Sequence, residues 1–214
     1  MSLDRHPDDP SGDHILLATS NRGKAEEFLA LLPPGVEVVT LADLDLPSPP
    51  EDGETLEANA VIKALAGGTS GLLTVADDSG LEVDALGGAP GVHSARYAGT
   101  TVSDAANREK LLHQMRHLPP ERRTARFRCV VALAGPTGLI ATAEGRLDGT
   151  IAFAERGERG FGYDSIFQLP DGRTLAELPL DDKNRISHRG HAYRLALPVL
   201  GACLRAGLPK GIGR

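Results

Sequence analysis

A chain of 214 residues with 41% hydrophobic and 24% charged residues, no Trp and a net charge of −6 reads as an ordinary globular protein. That balance argues against a general nucleic-acid binder, and no apolar run approaches the ~20 residues that a membrane-spanning helix needs. Two cysteines, Cys129 and Cys203, are too few for a disulfide framework and lack zinc-finger spacing, so each is expected to be a small buried hydrophobe in a reducing cytoplasm.

In chain order, MSLDRHPDDPSGD carries Asp residues and no apolar core, so 1–13 is expected to be a flexible tail and 14–214 one domain. HILLAT at 14–19 reads as a buried strand. Lys24 to Leu32 reads as a helix with Ala25, Phe28, Leu29 and Leu32 at helical spacing, stopped by Pro33-Pro34. VEVVT at 36–40 is a second strand, and a Pro-rich acidic loop leads to a helix from about Thr55 to Gly67-Gly68. LLTVA at 72–76 is a strand expected to deliver Asp77 and Asp78 into a turn. A helix follows from Ser103 to Leu118, then a strand in which Ala125, Phe127, Cys129, Val131 and Leu133 alternate, closed by a GPTG hairpin. RGERGFGYD precedes a strand SIFQL, and a last helix starts near Ser187, with Pro198 expected to kink it. Helices alternating with strands plus antiparallel hairpins predict an α/β fold with a mixed sheet.

Charge is unevenly spread. From Asp43 to Glu57 there are six acidic residues and no Lys or Arg; from Lys183 to Arg214 there are seven Lys or Arg and no Asp or Glu. A solvated loop and a basic surface helix would account for these runs. A site that holds a polyanion through a metal would also need both signs.

Four segments are candidates for chemistry. TSNRGK at 19–24, between strand and helix, offers backbone N–H groups, a helix dipole and the Lys24 charge to a phosphate, although a capped helix start has the same appearance. It is neither a Walker loop nor a dinucleotide fingerprint, since it lacks their glycines. ADDSG at 76–80 places two carboxylates at the end of an apolar strand, which is costly without a neighbouring cation; a magnesium ion or an ordinary turn would each explain it. FGYD at 161–164 sets an aromatic on a glycine loop, suited to stacking on a planar base or to starting a core strand. DDKNRISHRG at 181–190 clusters Lys183, Arg185, His188 and Arg189 before and at a helix N-terminus, where cations oppose the dipole and call for a bound anion or another acceptor.

LLATSNRGKAEEFLALL, VADDSGLEVDALGGAPGVHSARYAG, GFGYDSIF and DKNRISHRG, in that order, closely resemble the inosine and xanthosine triphosphate pyrophosphatase family, from His14 to about Leu204. The resemblance implies an elongated mixed sheet with flanking helices, two lobes with a central cleft, a homodimer and a magnesium cofactor, with manganese as a substitute. It matches Thr19, Ser20, Asn21, Arg22, Gly23 and Lys24 to a phosphate-binding loop and Asp78 to the catalytic carboxylate and metal site. Glu51 matches the other acidic metal site, Lys63 a lysine aimed at the phosphates, and Ser79 a substrate contact. Phe161, Gly162, Tyr163 and Asp164 match the nucleoside pocket, and Lys183, His188 and Arg189 match residues that hold base and phosphates. One departure is visible: TLEANA has Ala58 where the family commonly has an acid, leaving Glu54 or Glu57 as substitutes.

The implied activity is hydrolysis of ITP, dITP or XTP to the monophosphate and pyrophosphate, with no nucleic-acid or membrane partner. The alternatives are a kinase or phosphotransferase, for which no acceptor site or Walker loop is legible, a non-catalytic nucleotide-binding regulator, and a pyrophosphatase for other modified nucleotides.

Overall fold

The computed structural model describes residues 14–99 and 103–206; the expected tail over 1–13 lies outside them. Its framework is a sheet that is parallel at one end and antiparallel at the other. The strands are His14–Leu17 (β1), Glu37–Thr40 (β2), Leu73–Val83 (β3), Thr124–Gly135 (β4), Gly138–Ile151 (β5) and Phe167–Gln168 (β6). Among the described residues they are ordered β2-β1-β3-β4-β5-β6, with β1 parallel to β2 and β3 and the remaining pairs antiparallel. The helices are Arg22–Leu29 (α1), Leu56–Gly68 (α2), Asp104–Met115 (α3), Leu180–Ile186 (α4) and His188–Ala206 (α5). The expected mixed α/β sheet with flanking helices is therefore present.

Period-two alternation divides the core between the two faces of the sheet. Leu73, Val75, Cys129, Val131 and Leu133 face α1 and α5, where they meet Phe28, Tyr193 and Leu200. Ala76, Val130, Ala132 and Ala134 face α2, whose buried stripe contains Leu56, Ala60 and Ala64. A separate cluster forms where β3 and β4 continue past this region, joining Leu81, Val83, Ala125 and Phe127 to α3 and to the segment from Tyr163 to Leu178. The two ends of the sheet are thus separately cored, and the long strands β3, β4 and β5 connect them.

Several local expectations change. β3 does not end at a turn: it runs through Asp77 and Asp78 to Val83, because β4 pairs with it throughout, Asp77 opposite Val131 and Asp78 opposite Val130. α1 begins two residues earlier than expected, where the Asn21 side chain accepts the Lys24 N–H as its cap, and it ends at Leu29. The SIFQL strand shrinks to two residues, since the Ile166 and Phe167 N–H groups both donate to the Tyr163 carbonyl and close a turn. Lys183 and Arg185 lie in α4, not in a loop before α5. They occupy its last turn, behind Asp181 and Asp182 in its first, which suits the helix dipole at both ends. α5 continues through Pro198. Cys129 is fully buried, whereas Cys203 is partly exposed; both are free thiols.

α5 rests directly on β5 at Gly145. A Cβ there would lie 2.1 Å from the His188 carbonyl oxygen and 2.4 Å from the Ala192 nitrogen. These neighbours are helix backbone and cannot rotate aside. Gly145→Ala is expected to cost about 1–3 kcal/mol of unfolding free energy, read by urea denaturation, and to displace the helix start that carries His188 and Arg189. A loss within about 0.5 kcal/mol, the range of an ordinary surface substitution, would contradict this packing.

Candidate active site

β1 pairs with β3 only as far as Leu17 opposite Val75, so beyond Ala76 the β1-side edge of β3 has no neighbouring strand. A cleft of about 500 Å³ lies along this edge. Its position at the end of a parallel pair, outside the carboxyl ends of β1 and its neighbour, is where α/β sheets hold ligands.

The adjacent carboxylates of β3 point to opposite faces of the sheet. Asp77, 1% exposed, faces α5, where Arg189 Nε lies 3.2 Å from Oδ2 and Lys24 Nζ 3.3 Å. Burial pushes the Asp77 carboxyl up, but Lys24, Arg189 and Lys63 outweigh it and hold the group well below the usual carboxylate range. Asp78 faces α2. It accepts from Lys63 Nζ at 3.0 Å and Asn59 Nδ2 at 3.2 Å, with Lys24 Nζ 3.9 Å away. Asp77 is therefore a structural counter-ion, whereas Asp78 lines the cleft.

Asn59 and Lys63 lie one turn apart on the buried stripe of α2. Lys63 also donates to Glu51 Oε1 at 2.7 Å, bringing the acidic loop to the same point as Asp78. Burial lowers the Lys63 pKa, but Asp78, Asp77 and Glu51 reverse this and raise it above its ordinary value. Glu51 is held below its ordinary value despite its own burial, chiefly by Lys63. Arg96, at the end of the 3-10 turn Gly91–Arg96, reaches the same loop and donates to the Glu51 carbonyl at 3.3 Å. Two hard oxygen donors converging on one point in a cleft fit magnesium, which uses one or two protein carboxylates together with substrate oxygens and water. Among the described residues no cluster of three or more His, Cys, Asp or Glu forms a complete metal cage, so the rest of any coordination shell would come from outside the protein.

Thr19, Ser20, Asn21 and Lys24 line one end of the cleft. The loop is braced internally: the Asn21 N–H donates to Thr19 Oγ1 at 3.1 Å, and Lys24 Nζ reaches the Asp77 carbonyl at 3.4 Å. Arg22 points away and pairs with Glu26 at 3.1 Å with its side chain 93% exposed, so it stands outside the cleft lining. Gly23 lies beneath Phe161, whose Cδ1 would be 2.5 Å from an added Cβ. This close approach places the aromatic ring against the 19–24 loop.

Phe161, Gly162, Tyr163, Asp164, His188 and Arg189 also line the cleft. The Phe161 ring lies 4.9 Å from Lys183 Nζ and 5.4 Å from the Arg189 guanidinium carbon. Tyr163 is anchored in the core, its hydroxyl donating to the Ser94 carbonyl at 2.7 Å. Lys183 sits behind the cleft, ion-paired with Asp164 and 2.6 Å from Glu27 Oε1. The His188 ring stacks on Phe127 with centroids 4.5 Å apart, and its Nδ1 has no partner within the protein. Burial first, then Arg189 and Lys183, push its pKa well below 6.5, so the ring is neutral at pH 7.

The acceptor that the basic segment required is Glu27. It is 2% exposed, ion-paired with Arg189 and Lys183, and held below its ordinary pKa by them against the effect of burial. Arg189 also donates through Nη2 to Ser79 Oγ at 2.7 Å. Neither Glu27 nor Asn59 stood out in the sequence. The available signals were Glu27 three residues after Lys24, one turn along α1, and Asn59 paired at i,i+4 with Lys63 inside an otherwise apolar stripe. Of the substitutes for an acid at position 58, Glu57 instead accepts from the Thr142 hydroxyl at 3.1 Å, and neither it nor Glu54 lines the cleft.

Comparison with known proteins identifies the family. The Ham1 family model matches residues 15–199. The chain is 50% identical over 190 residues to the dITP/XTP pyrophosphatase of Desulforamulus reducens, covering 87% of this chain and 94% of that one. It is 53% identical over 184 residues to the dITP/XTP pyrophosphatase of Geobacillus kaustophilus, covering 83% and 89%. A solved HAM1 protein from Coxiella burnetii superposes with a TM-score of 0.80 at 39% identity, over 88% of this chain and 98% of that one. With sequence and fold in agreement, the chain belongs to the Ham1 family.

Proposed function

We propose that this chain hydrolyses non-standard purine nucleoside triphosphates (ITP, dITP and XTP) to the monophosphate and pyrophosphate. The observation that carries this reading is the position of Asp78: a carboxylate in the cleft held by Lys63 and Asn59, with the 19–24 loop and Lys24 beside it. Relatives about half identical over most of their length bear the corresponding name. The resemblance further supports one domain over 14–214, acting as a homodimer in the cytoplasm. Among the described residues no helix is long and apolar enough to cross a membrane.

In this mechanism the 19–24 loop and Lys24 receive the phosphate chain through N–H groups and one full charge. Asp78 and Glu51 would hold magnesium, with manganese as a substitute, and the ion when bound supplies positive charge against the nearly four negative charges of the triphosphate. Asp78 orients the water that attacks the α-phosphorus and accepts its proton. Lys24 and Lys63 stabilise the charge that grows on the departing pyrophosphate. At the other end, Phe161 stacks on the base. Neutral His188 and the guanidinium of Arg189 present donors to the 6-oxygen of hypoxanthine or xanthine and oppose the amino group of adenine. A buried donor left unpaired costs about 1–3 kcal/mol, so ATP would be rejected roughly ten- to a hundredfold.

The deciding experiment incubates the protein with ITP and magnesium and identifies the product. Pyrophosphate release that stops on EDTA and resumes with added magnesium supports the reading. Orthophosphate or phosphoryl transfer indicates a phosphotransferase, and binding without turnover indicates a regulator. Asp78→Asn is expected to retain nucleotide binding and lower kcat by at least about a hundredfold; near-normal turnover would remove Asp78 from the chemistry.

His188 adds a pH signature. Its folded pKa lies below 6.5, so as pH falls through 6.5 the unfolded chain takes up a proton that the folded chain refuses. The stability associated with burying a neutral ring is present above about pH 6.5 and is lost below it. The urea midpoint of the wild type should fall between pH 7.5 and 5 more steeply than that of His188→Gln; parallel profiles would show that His188 titrates normally.

A further inference from the structure

One face of α3 holds two of the segments that line the cleft. Asp104, Asn107 and Arg108 are spaced i, i+3 and i+4 and so project from the same side of the helix. Asn107 fixes the first: its Nδ2 donates to the Ala95 carbonyl at 3.1 Å and its Oδ1 accepts the Ala98 N–H at 2.7 Å, tying down the chain around Arg96. Asp104 and Arg108 fix the second. Asp104 Oδ2 accepts the Gly162 N–H at 2.7 Å, and Arg108 Nη1 donates to the Gly162 carbonyl at 2.8 Å. Both peptide groups flanking one Cα are therefore held by charged side chains of a single helix.

The residue so held has the backbone freedom that calls for a clamp. Gly162 has φ +61°, a conformation that glycine enters and leaves at low cost, and it lies between Phe161 and Tyr163. Tyr163 is anchored through Ser94 and the Phe161 N–H donates to Asp164 Oδ2 at 2.9 Å, which leaves the N–H and carbonyl of Gly162 between them to Asp104 and Arg108. Arg108 is itself oriented: its Nε donates to Glu155 Oε2 at 2.9 Å, and the same carboxylate accepts from Ser165 Oγ at 2.9 Å, so the guanidinium spans from α3 to both flanks of the 155–165 segment. An acid in the first turn of a helix suits the dipole without further purpose, but that role alone places no requirement on a partner at Gly162. Asp104 lines the cleft, whereas Arg108 does not.

We infer that Asp104 and Arg108 are positioning residues that lock Gly162, and through it Phe161, so that α3 sets affinity for the nucleoside part of the substrate without acting on the phosphates. This rests on the nucleotide reading above for its kinetic consequence but not for its structural one, and the two are tested apart.

The structural arm needs no ligand. Amide hydrogen exchange over residues 158–165 is compared in the wild type, Arg108→Met, Asp104→Ala and Asp104→Asn. Exchange should accelerate on the order of tenfold in the first two variants. Asp104→Asn keeps an acceptor for the Gly162 N–H and should recover most of the protection; exchange unchanged in Arg108→Met would overturn the clamp. The kinetic arm measures KM and kcat for ITP and the inhibition constant of inorganic tripolyphosphate, which has no nucleoside. Arg108→Met should raise KM about tenfold, change kcat by less than about threefold and leave the tripolyphosphate constant unaltered. A parallel rise in both constants would show general damage to the cleft and refute a nucleoside-specific role. If wild-type protein fails to turn over ITP while the exchange results hold, the substrate assignment fails and the clamp stands.

Discussion

A carboxylate buried in the middle of a strand has to be balanced by positive charge, and the site is organised around that constraint at Asp77. Removing an ion from water costs several kcal/mol, which only close and well-oriented partners can offset. Those partners are Lys24 from α1 and Arg189 from α5, so one acid fixes the starts of two helices that are far apart in sequence. Arg189 in turn is shared with Glu27, which also takes Lys183. The 19–24 loop, β3 and the basic segment are thereby joined in one charge network. Breaking any one pair would leave another charge buried without compensation, so the network acts as a unit.

Much of this was legible in the sequence. The strands, the five principal helical or basic segments and the four motifs occur in the expected order because hydrophobic periodicity and Pro/Gly punctuation are local signals. What local signals could not supply was the role of neighbours. ADDSG has the composition of a turn, and it is a strand because β4 lies alongside and cations lie on both faces. Lys183 and Arg189 look like solvated or ligand-seeking cations until Glu27, more than 150 residues earlier, is found between them. Phe161 and Tyr163 are two residues apart and both line the cleft, but the Phe161 ring lies against Gly23 while Tyr163 is rooted in the core by its hydroxyl. No periodicity distinguishes them.

The geometry of the sheet explains why adjacent acids have different roles. Successive residues of a strand face opposite sides, so Asp77 and Asp78 are separated by the sheet despite being neighbours in sequence. One is enclosed against α5 and the other is presented to the α2 side and the cleft. Alternation thus places an enclosed carboxylate and a cleft-lining one within one residue of each other without turning both to the same face.

Cys129 shares the enclosed face with Asp77. Its Sγ donates weakly to Asp77 Oδ2 at 3.6 Å, and burial together with that negative charge pushes its thiol pKa well above the ordinary value. A sulfur kept protonated and screened from solvent is a poor nucleophile. Alkylating agents and peroxides would therefore consume the partly exposed Cys203 first, leaving Cys129 on β4 untouched long after the surface has been modified.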